Sequence, residues 1–281
     1  MIKACIFDLG GTIVDRYSLT PFIAFKGAFE NKNINLCSSL IRQGGGLNKM
    51  DYINKICDNI TIRAQWYNNY KREMTLEDKN EIFRDFSKIQ ATQTIDRMKI
   101  IPQTKKCVQY LKDNNILTGV TTSFDYEQTM RVKSILEVNN VHLDNYVSSS
   151  CLDLPGRPKP FMIHENMNKL NLDDPKRIIK IGDTFSGIQE GLNAGCLTVG
   201  VSRWSVYMAI DSYEEMMRSD NVIMNGSNNY SLNYHNQQEK IKKSREILKE
   251  SGPHYVIDTL EELPRIIRHI NRMGEPNPYK L

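Results

Sequence analysis

Short runs of consecutive apolar residues recur along the chain, and stretches with a helical apolar period separate most of them. The runs predict strands over 4–7, 116–121, 146–149, 178–182, 197–201 and 255–257, and the helical stretches include one over 105–113. Continuous apolar runs are typical of parallel strands that are covered on both faces. The alternation of strands and helices therefore predicts an α/β fold with a doubly wound parallel sheet.

Residues 17–99 depart from this alternation, because they show helical patterns and no convincing strand. A glycine run at 44–46 is followed by Asn48, a residue type that caps helices. Apolar positions 53, 56, 57 and 60 then fall on one helix face. We predict a helical cap domain over 17–99, inserted into an α/β core that is formed by 1–16 and 100–281.

The C-terminal part of the chain is less regular. Residues 219–236 contain six asparagines and few apolar positions, which predicts an exposed, mobile excursion without a catalytic role. A charged helix is expected over 237–250, and Thr259 with Glu262 matches a capping box that starts a last helix. The tail from Gly274 is expected to fray.

Composition narrows the function classes. The 281 residues carry 37 Lys and Arg against 33 Asp and Glu, and a net charge of +4 is too small to argue for a nucleic-acid partner. No apolar run approaches the roughly 18 residues of a membrane-spanning helix. Six scattered cysteines without a C-x-x-C pair suit free thiols in a reducing compartment. We expect a cytoplasmic protein with no nucleic-acid or membrane partner.

Candidate chemistry lies at the carboxyl ends of the predicted strands. Asp8 follows the first strand, Thr122 the second and Asp183 the fourth, and Arg157 lies in a Pro- and Gly-rich loop after the third. The carboxyl ends of such strands open onto one crevice, so these side chains are expected to converge. The Gly10-Gly11 pair allows the backbone to turn its N–H groups toward one point, where an oxyanion such as phosphate can bind.

In order and spacing, these motifs resemble the haloacid dehalogenase superfamily. The resemblance implies a nucleophilic aspartate and a Mg²⁺ cofactor with three ligands, which are Asp8, the carbonyl of Gly10 and Asp183. It also implies a small phosphorylated or phosphonate substrate and a set of substrate-binding residues: Gly11, Thr12, Thr122, Arg157 and Tyr52.

Within the superfamily, the chain resembles the phosphonoacetaldehyde hydrolase family. Most phosphatases of the superfamily carry a second Asp two residues after the nucleophile, which protonates the leaving alcohol. Gly10 occupies that position here. The segments PGRPKPFM, IGDTFSG with EGLNAG, and SGPHYVIDTLEEL all look like segments of that family. The cap segment GLNKMD, at 46–51, resembles its lysine motif and puts Lys49 on the Schiff-base lysine.

The resemblance implies hydrolysis of the carbon–phosphorus bond of phosphonoacetaldehyde. Cleavage of that bond leaves a carbanion, and a lysine imine is an electron sink for it. Lys49 would condense with the aldehyde, Asp8 would attack phosphorus to give an aspartyl phosphate, and water would release phosphate and acetaldehyde. The positive end of the helix dipole would favour the neutral amine of Lys49. The resemblance also implies a homodimer through the caps.

Several positions depart from the family. Tyr52 stands where the family has a histidine, and Gly187 stands where it has the second acid of the Gly-Asp-Thr-x-x-Asp motif. Family pocket positions that hold methionine, cysteine and tyrosine are Gly45, Ser18 and Phe124 here. Glu190, one turn after Gly187, is a candidate substitute for the missing acid that we do not favour.

Two alternatives stay open. An ordinary phosphomonoester phosphatase is disfavoured by Gly10, because its alkoxide leaving group would depart unprotonated. A non-catalytic binder of phosphate ligands would not need both a nucleophile and an amine, yet the chain keeps Asp8, Lys49, Arg157 and Asp183. The fold alone decides between none of these functions.

Overall fold

The computed structural model describes residues 1–94, 97–224 and 232–273. Six parallel strands form one sheet in the order β3-β2-β1-β4-β5-β6. The strands are β1 (Ala4–Phe7), β2 (Leu117–Thr122), β3 (Asn145–Ser148), β4 (Ile178–Gly182), β5 (Leu197–Val201) and β6 (Tyr255–Ile257). This order is that of a doubly wound sheet, and it confirms the predicted α/β fold.

Helices occupy most of the remaining chain. Those of the α/β part are α6 (Thr104–Asp113), α7 (Tyr126–Val138), α8 (Phe161–Lys169), α9 (Phe185–Asn193) and α12 (Leu263–Met273). Five more lie between β1 and β2: α1 (Leu19–Glu30), α2 (Ser38–Gln43), α3 (Lys49–Cys57), α4 (Ile60–Tyr70) and α5 (Leu76–Ile89), followed by a π-helical turn at Gln90–Thr94. Two lie between β5 and β6: α10 (Tyr213–Met224) and α11 (Leu232–Glu250).

The strand β1 is central, and the sequence order of the sheet reverses there. All four of its residues are fully buried, as a strand covered on both faces requires. β2 pairs with one side of it and β4 with the other. Ligands of doubly wound sheets bind in the crevice at such a switch point, beyond the carboxyl ends of the strands.

The helical region between β1 and β2 has a hydrophobic core of its own. That core includes Phe25, Phe29, Ile56 and Phe86 from helices α1, α3 and α5. It also takes in residues that follow β5, which are Trp204, Met208, Ile210, Met216 and Ile241. The helical cap of the sequence prediction therefore packs together with a segment from the C-terminal part of the chain.

The segment 219–236 differs from its prediction. Its residues 219–224 belong to helix α10 and its residues 232–236 to helix α11. Ser219 is buried rather than exposed. Its Oγ lies 3.1 Å from the hydroxyl of Tyr17, and the amide of Gln237 donates a hydrogen bond to it. Residues 225–231 and the tail from Gly274 lie outside the described residues. Among the helices described, none is both long and apolar enough to span a bilayer.

Candidate active site

Asp8 lies at the end of β1, where its backbone N–H donates to the carbonyl of Ile181 on β4 at 2.9 Å. The side chain is buried, and its Oδ1 accepts hydrogen bonds from Arg157 Nη2 and Lys180 Nζ. The other carboxylate oxygen, Oδ2, is buried without a hydrogen-bond partner. One oxygen is thus held by two cations, and the second remains available for a further ligand.

Arg157 joins the nucleophile candidate to a second carboxylate. Its Nε donates to Glu190 Oε2 at 2.9 Å, and its Nη2 donates to the carbonyl and the hydroxyl of Thr121, each at 2.7 Å. Lys180 Nζ lies 3.1 Å from the same Glu190 oxygen. We call the four side chains of Asp8, Arg157, Lys180 and Glu190 the buried charge cluster. It carries two positive and two negative charges, as burial of charge requires.

Two members of this cluster were not predicted as site residues. Lys180 lies in the middle of the apolar strand β4 and is fully buried. A lysine is almost never buried without a partner, so its presence in an apolar strand is a signal that sequence reasoning could have used. Glu190, considered as a substitute metal ligand, is instead an ion-pair partner of Arg157 and Lys180.

Asp183 is the first residue after β4, the strand that pairs with β1. Its Oδ2 accepts from the backbone N–H of Val206 at 3.2 Å, and its Oδ1 lies 3.4 Å from the hydroxyl of Thr12. Burial and the nearby charge of Asp8 raise the pKa of Asp183 to about 8. The positive charge of Arg157 offsets only part of this effect.

The glycine turn after Asp8 contacts Asp183. Gly11 has φ +67, and a Cβ on it would overlap the carboxylate of Asp183. Only glycine fits this position without strain, because L side chains rarely adopt that φ. Gly11 and Thr12, both expected to bind substrate, therefore pack against Asp183 and do not line the pocket.

The residues expected to hold Mg²⁺ fit that ion. Asp8 Oδ2 is an unpartnered anionic oxygen, Asp183 adds a second carboxylate, and Gly10 lines the same pocket. Mg²⁺ binds oxygen ligands and keeps several waters, so it needs few carboxylates. The described residues contain no group of three or more His, Cys, Asp or Glu that could hold a metal. At Gly187, a Cβ would overlap Asp8 Oδ2, so an acid at 187 would displace the present carboxylate.

Lys49 reaches the same pocket from the cap. It is the first residue of α3, and Asn48 caps that helix by accepting from the N–H groups of Met50 and Asp51 at 3.0 and 3.2 Å. The side chain is 9% exposed, with Nζ 6.0 Å from the centroid of the Phe25 ring. Burial and the positive charge of Arg157 lower the pKa of Lys49 to about 8, against an opposing effect of Asp15. A substantial fraction of this amine is neutral near pH 8.

One pocket contains most of the predicted site residues. Its polar lining is Asp8, Gly10, Ser18, Lys49, Thr122, Ser123, Arg157, Asp183 and Thr184. Its apolar lining is Leu9, Pro21, Phe22, Phe25, Ile41, Phe124 and Val206. Apart from Lys49, the charged groups therefore lie beyond the carboxyl ends of the strands, while apolar side chains face them, mostly from the cap.

The glycine run at 44–46 also lines this pocket and lies against the α/β part. The hydroxyl of Ser186 donates to the carbonyl of Gly45 at 2.8 Å. Gly46 has φ +78, and a Cβ on it would crowd the hydroxyls of Thr184 and Ser186. These close approaches bring the backbone before Lys49 within reach of the strand ends.

Tyr52, like Gly11 and Thr12, is a predicted substrate contact that does not line this pocket. Its side chain is buried, and its hydroxyl donates to the backbone carbonyl of Leu40. It is not among the residues that line the pocket.

Comparison with known proteins identifies the family. Residues 2–195 match the model of haloacid dehalogenase-like hydrolases. The chain belongs to this family of hydrolases. Its members are typically Mg²⁺-dependent.

Relatives in this family align over almost the whole chain. The phosphonoacetaldehyde hydrolase of Bacillus cytotoxicus is 31% identical over 96% of this chain and 97% of its own length. The enzyme of the same name from Parabacteroides distasonis is 30% identical over 98% of both chains. The solved structure of a phosphonoacetaldehyde hydrolase like protein from Oleispira antarctica has a TM-score of 0.86 at 26% identity, covering 98% of this chain and 96% of that one.

Proposed function

We propose that the protein hydrolyses the carbon–phosphorus bond of phosphonoacetaldehyde to acetaldehyde and phosphate. The observation that carries this proposal is the presence of Lys49 in the same pocket as Asp8 and Arg157. A buried amine with a lowered pKa beside a carboxylate nucleophile suits an aldehyde that carries a phosphonate. The full-length relatives named for this activity support the same assignment.

Each residue has a defined role in this reaction. The neutral amine of Lys49 attacks the aldehyde carbon, and loss of water gives an imine. Asp8 Oδ attacks phosphorus, the carbon–phosphorus bond breaks, and its electron pair moves toward the iminium nitrogen to give an enamine. Proton addition at carbon and hydrolysis of the imine release acetaldehyde. Water then cleaves the aspartyl phosphate and releases phosphate.

Arg157 and Thr122 complete the phosphoryl end of the pocket. Arg157 offers a planar set of N–H donors, which suits the oxygens of a phosphonate. In the structure it bonds to Asp8, so substrate binding would exchange part of that contact for phosphoryl oxygens. Lys180 keeps a cation on Asp8 during that exchange, because it bonds to the same oxygen.

Asp8, Asp183 and the carbonyl of Gly10 would hold Mg²⁺. When bound, the ion supplies positive charge that reduces the repulsion between the attacking carboxylate and the anionic substrate. The homodimer through the caps and the cytoplasmic location remain predictions.

A phosphomonoester phosphatase is the second candidate. Gly10 argues against it, because no acid stands two residues after Asp8 to protonate an alkoxide. Hydrolysis of a phosphate ester also has no need of an imine, and therefore none of a neutral amine.

The deciding experiment compares phosphate release from phosphonoacetaldehyde and from p-nitrophenyl phosphate, with and without Mg²⁺. We expect turnover of the phosphonate only. Borohydride reduction with the phosphonate present should add mass to the peptide that contains Lys49. Lys49→Arg should lose both the adduct and the activity, whereas the exposed Lys55→Arg, on the same helix, should keep both. Faster release from the monoester, or an adduct on Lys55, would overturn the proposal.

A further inference from the structure

Tyr52 and Gly44 form a close-packed pair inside the cap. A Cβ on Gly44 would overlap three ring carbons of Tyr52, so only glycine can lie at this distance from the ring. The Tyr52 hydroxyl donates to the backbone carbonyl of Leu40, which lies in α2, four residues before Gly44. The ring and the hydroxyl thus contact residues 40–44 at two separate points.

This pair is linked to the amine of Lys49 by two routes. Tyr52 lies one turn after Lys49 on helix α3, so the two side chains share a helix face. Its ring also packs edge to face on Phe25, with centroids 5.7 Å apart, and Phe25 lies 6.0 Å from Lys49 Nζ. Phe25 and the glycine run at 44–46 both line the pocket.

We propose that Tyr52 is a positioning residue for Lys49: it fixes residues 40–46 and Phe25 against helix α3, so that the amine is held in the pocket. This inference rests on the proposed function for the role of Lys49. A direct part in proton transfer does not suit Tyr52, since its hydroxyl is bonded to Leu40 and burial raises its pKa to about 12. Gly44 contributes to the same positioning role, because its lack of a side chain leaves room for the Tyr52 ring.

Substitutions that add a side chain at Gly44 or shorten the side chain at Tyr52 test the role of this pair. Gly44→Ala places a methyl group where the ring lies, and Tyr52→Leu removes the ring, so each variant should displace the loop. We expect each to slow imine formation at Lys49 about 10- to 100-fold, the scale on which small misplacements act. The double variant should recover part of that loss, because the new methyl group occupies space that the ring has left. Tyr52→Phe, which loses only the hydroxyl, should cost about fivefold or less.

Three measurements separate positioning from general damage. The rate at which borohydride traps an adduct on Lys49 measures the reactivity of its amine. The affinity for inorganic phosphate measures whether the part of the pocket formed by Asp8 and Arg157 is intact. Hydrogen exchange of the 40–49 peptide reports the loop whether or not the enzyme is active. The control is Tyr67→Leu, an exposed tyrosine of the same cap, which should change none of them.

The expected result is slower trapping and faster exchange of the 40–49 peptide in both single variants, with phosphate affinity within twofold of the wild type and partial recovery in the double variant. Equal hydrogen exchange in Gly44→Ala and the wild type would overturn the positioning role. Strictly additive losses in the double variant would also overturn it. Absence of any adduct in the wild type would overturn the proposed function instead, and the exchange data would still decide whether Tyr52 fixes the loop.

Discussion

Lys180 lies 3.1 Å from Glu190 in the interior of the protein, and both side chains are fully buried. The same lysine bonds to Asp8, so a single amine neutralises parts of two carboxylates. Because both carboxylates are buried, this ion pair contributes to the charge balance around the nucleophile. It therefore links the stability of the fold to the reactivity of the site.

We predict that Lys180→Met lowers both stability and activity. Removing one partner of a buried ion pair leaves an uncompensated charge, which costs about 3–5 kcal/mol of unfolding free energy. Urea unfolding would measure the loss. The control is Lys249→Met, which breaks the exposed pair with Glu246 and should change stability little. Equal stability of the two variants would contradict the charge-balance role.

The reaction of Lys49 with aldehydes should depend on pH with a midpoint near 8. The amine attacks only when neutral, and its pKa is lowered from 10.5 to about 8. Imine formation should therefore fall about tenfold for each pH unit below the midpoint. Trapping with acetaldehyde and cyanoborohydride, followed by peptide mapping, measures this profile.

The variant Arg157→Gln should move that midpoint to higher pH, because the charge of Arg157 is one cause of the lowered pKa. A midpoint above pH 10 in the wild type would mean that the amine is not perturbed in solution.

Restoring the missing acid with Gly10→Asp should not create a phosphomonoesterase. A Cβ at position 10 would lie 3.2 Å from Ser18 Oγ and 3.6 Å from Asp15 Oδ2, so the new side chain is crowded and meets a carboxylate. The second variant Gly10→Asp/Ser18→Gly removes the closer of these two contacts, and glycine suits the φ of +50 at position 18. We expect lower thermal stability in the single variant and partial recovery in the double. Rapid p-nitrophenyl phosphate turnover by Gly10→Asp alone, at unchanged stability, would contradict this.

Asp183→Asn should stabilise the metal-free protein while it abolishes turnover. The folded-state pKa of Asp183 is raised to about 8 from 3.8, so the free energy of unfolding falls as the pH rises above 3.8 and levels off above about 8. Asparagine removes that loss, and each kcal/mol gained should raise Tm by about 2–4 °C. Thermal melts between pH 6 and 9, with and without Mg²⁺, measure the effect. The variant should also lose any Mg²⁺-dependent rise of Tm seen in the wild type, and a retained rise would assign the metal to other ligands.

The sequence predicted the sheet well, because its signals are local. The apolar runs at 4–7 and 178–182 mark β1 and β4, and the side chains that follow them meet in one pocket. Parallel strands bring their carboxyl ends together whatever the loops do, so this part of the site follows from strand assignment alone.

What the sequence did not reveal depends on contacts between distant segments. Glu190 pairs with Arg157 and Lys180, and nothing in its neighbouring residues indicates this. The family resemblance implies a substrate contact for Tyr52, which stands at the position of the family's histidine. Its hydroxyl instead donates to the carbonyl of Leu40, because the ring packs against Gly44. Helical periodicity carries no information about that contact.

The shared core of the helical region limits how the pocket can open. Trp204 accepts a hydrogen bond at its carbonyl from the N–H of Tyr17 at 2.6 Å, and its ring lies 5.7 Å from that of Tyr17. The cap therefore contacts the α/β part through the segment after β5, in addition to the two linkers and the hydrogen bond between Ser186 and Gly45. A rigid-body rotation of the cap about the two linkers would break the contact between Tyr17 and Trp204. Substrate entry should instead be a sliding movement that carries the segment after β5 along with the cap. Grafting residues 17–99 onto another sheet would leave their apolar core partly uncovered.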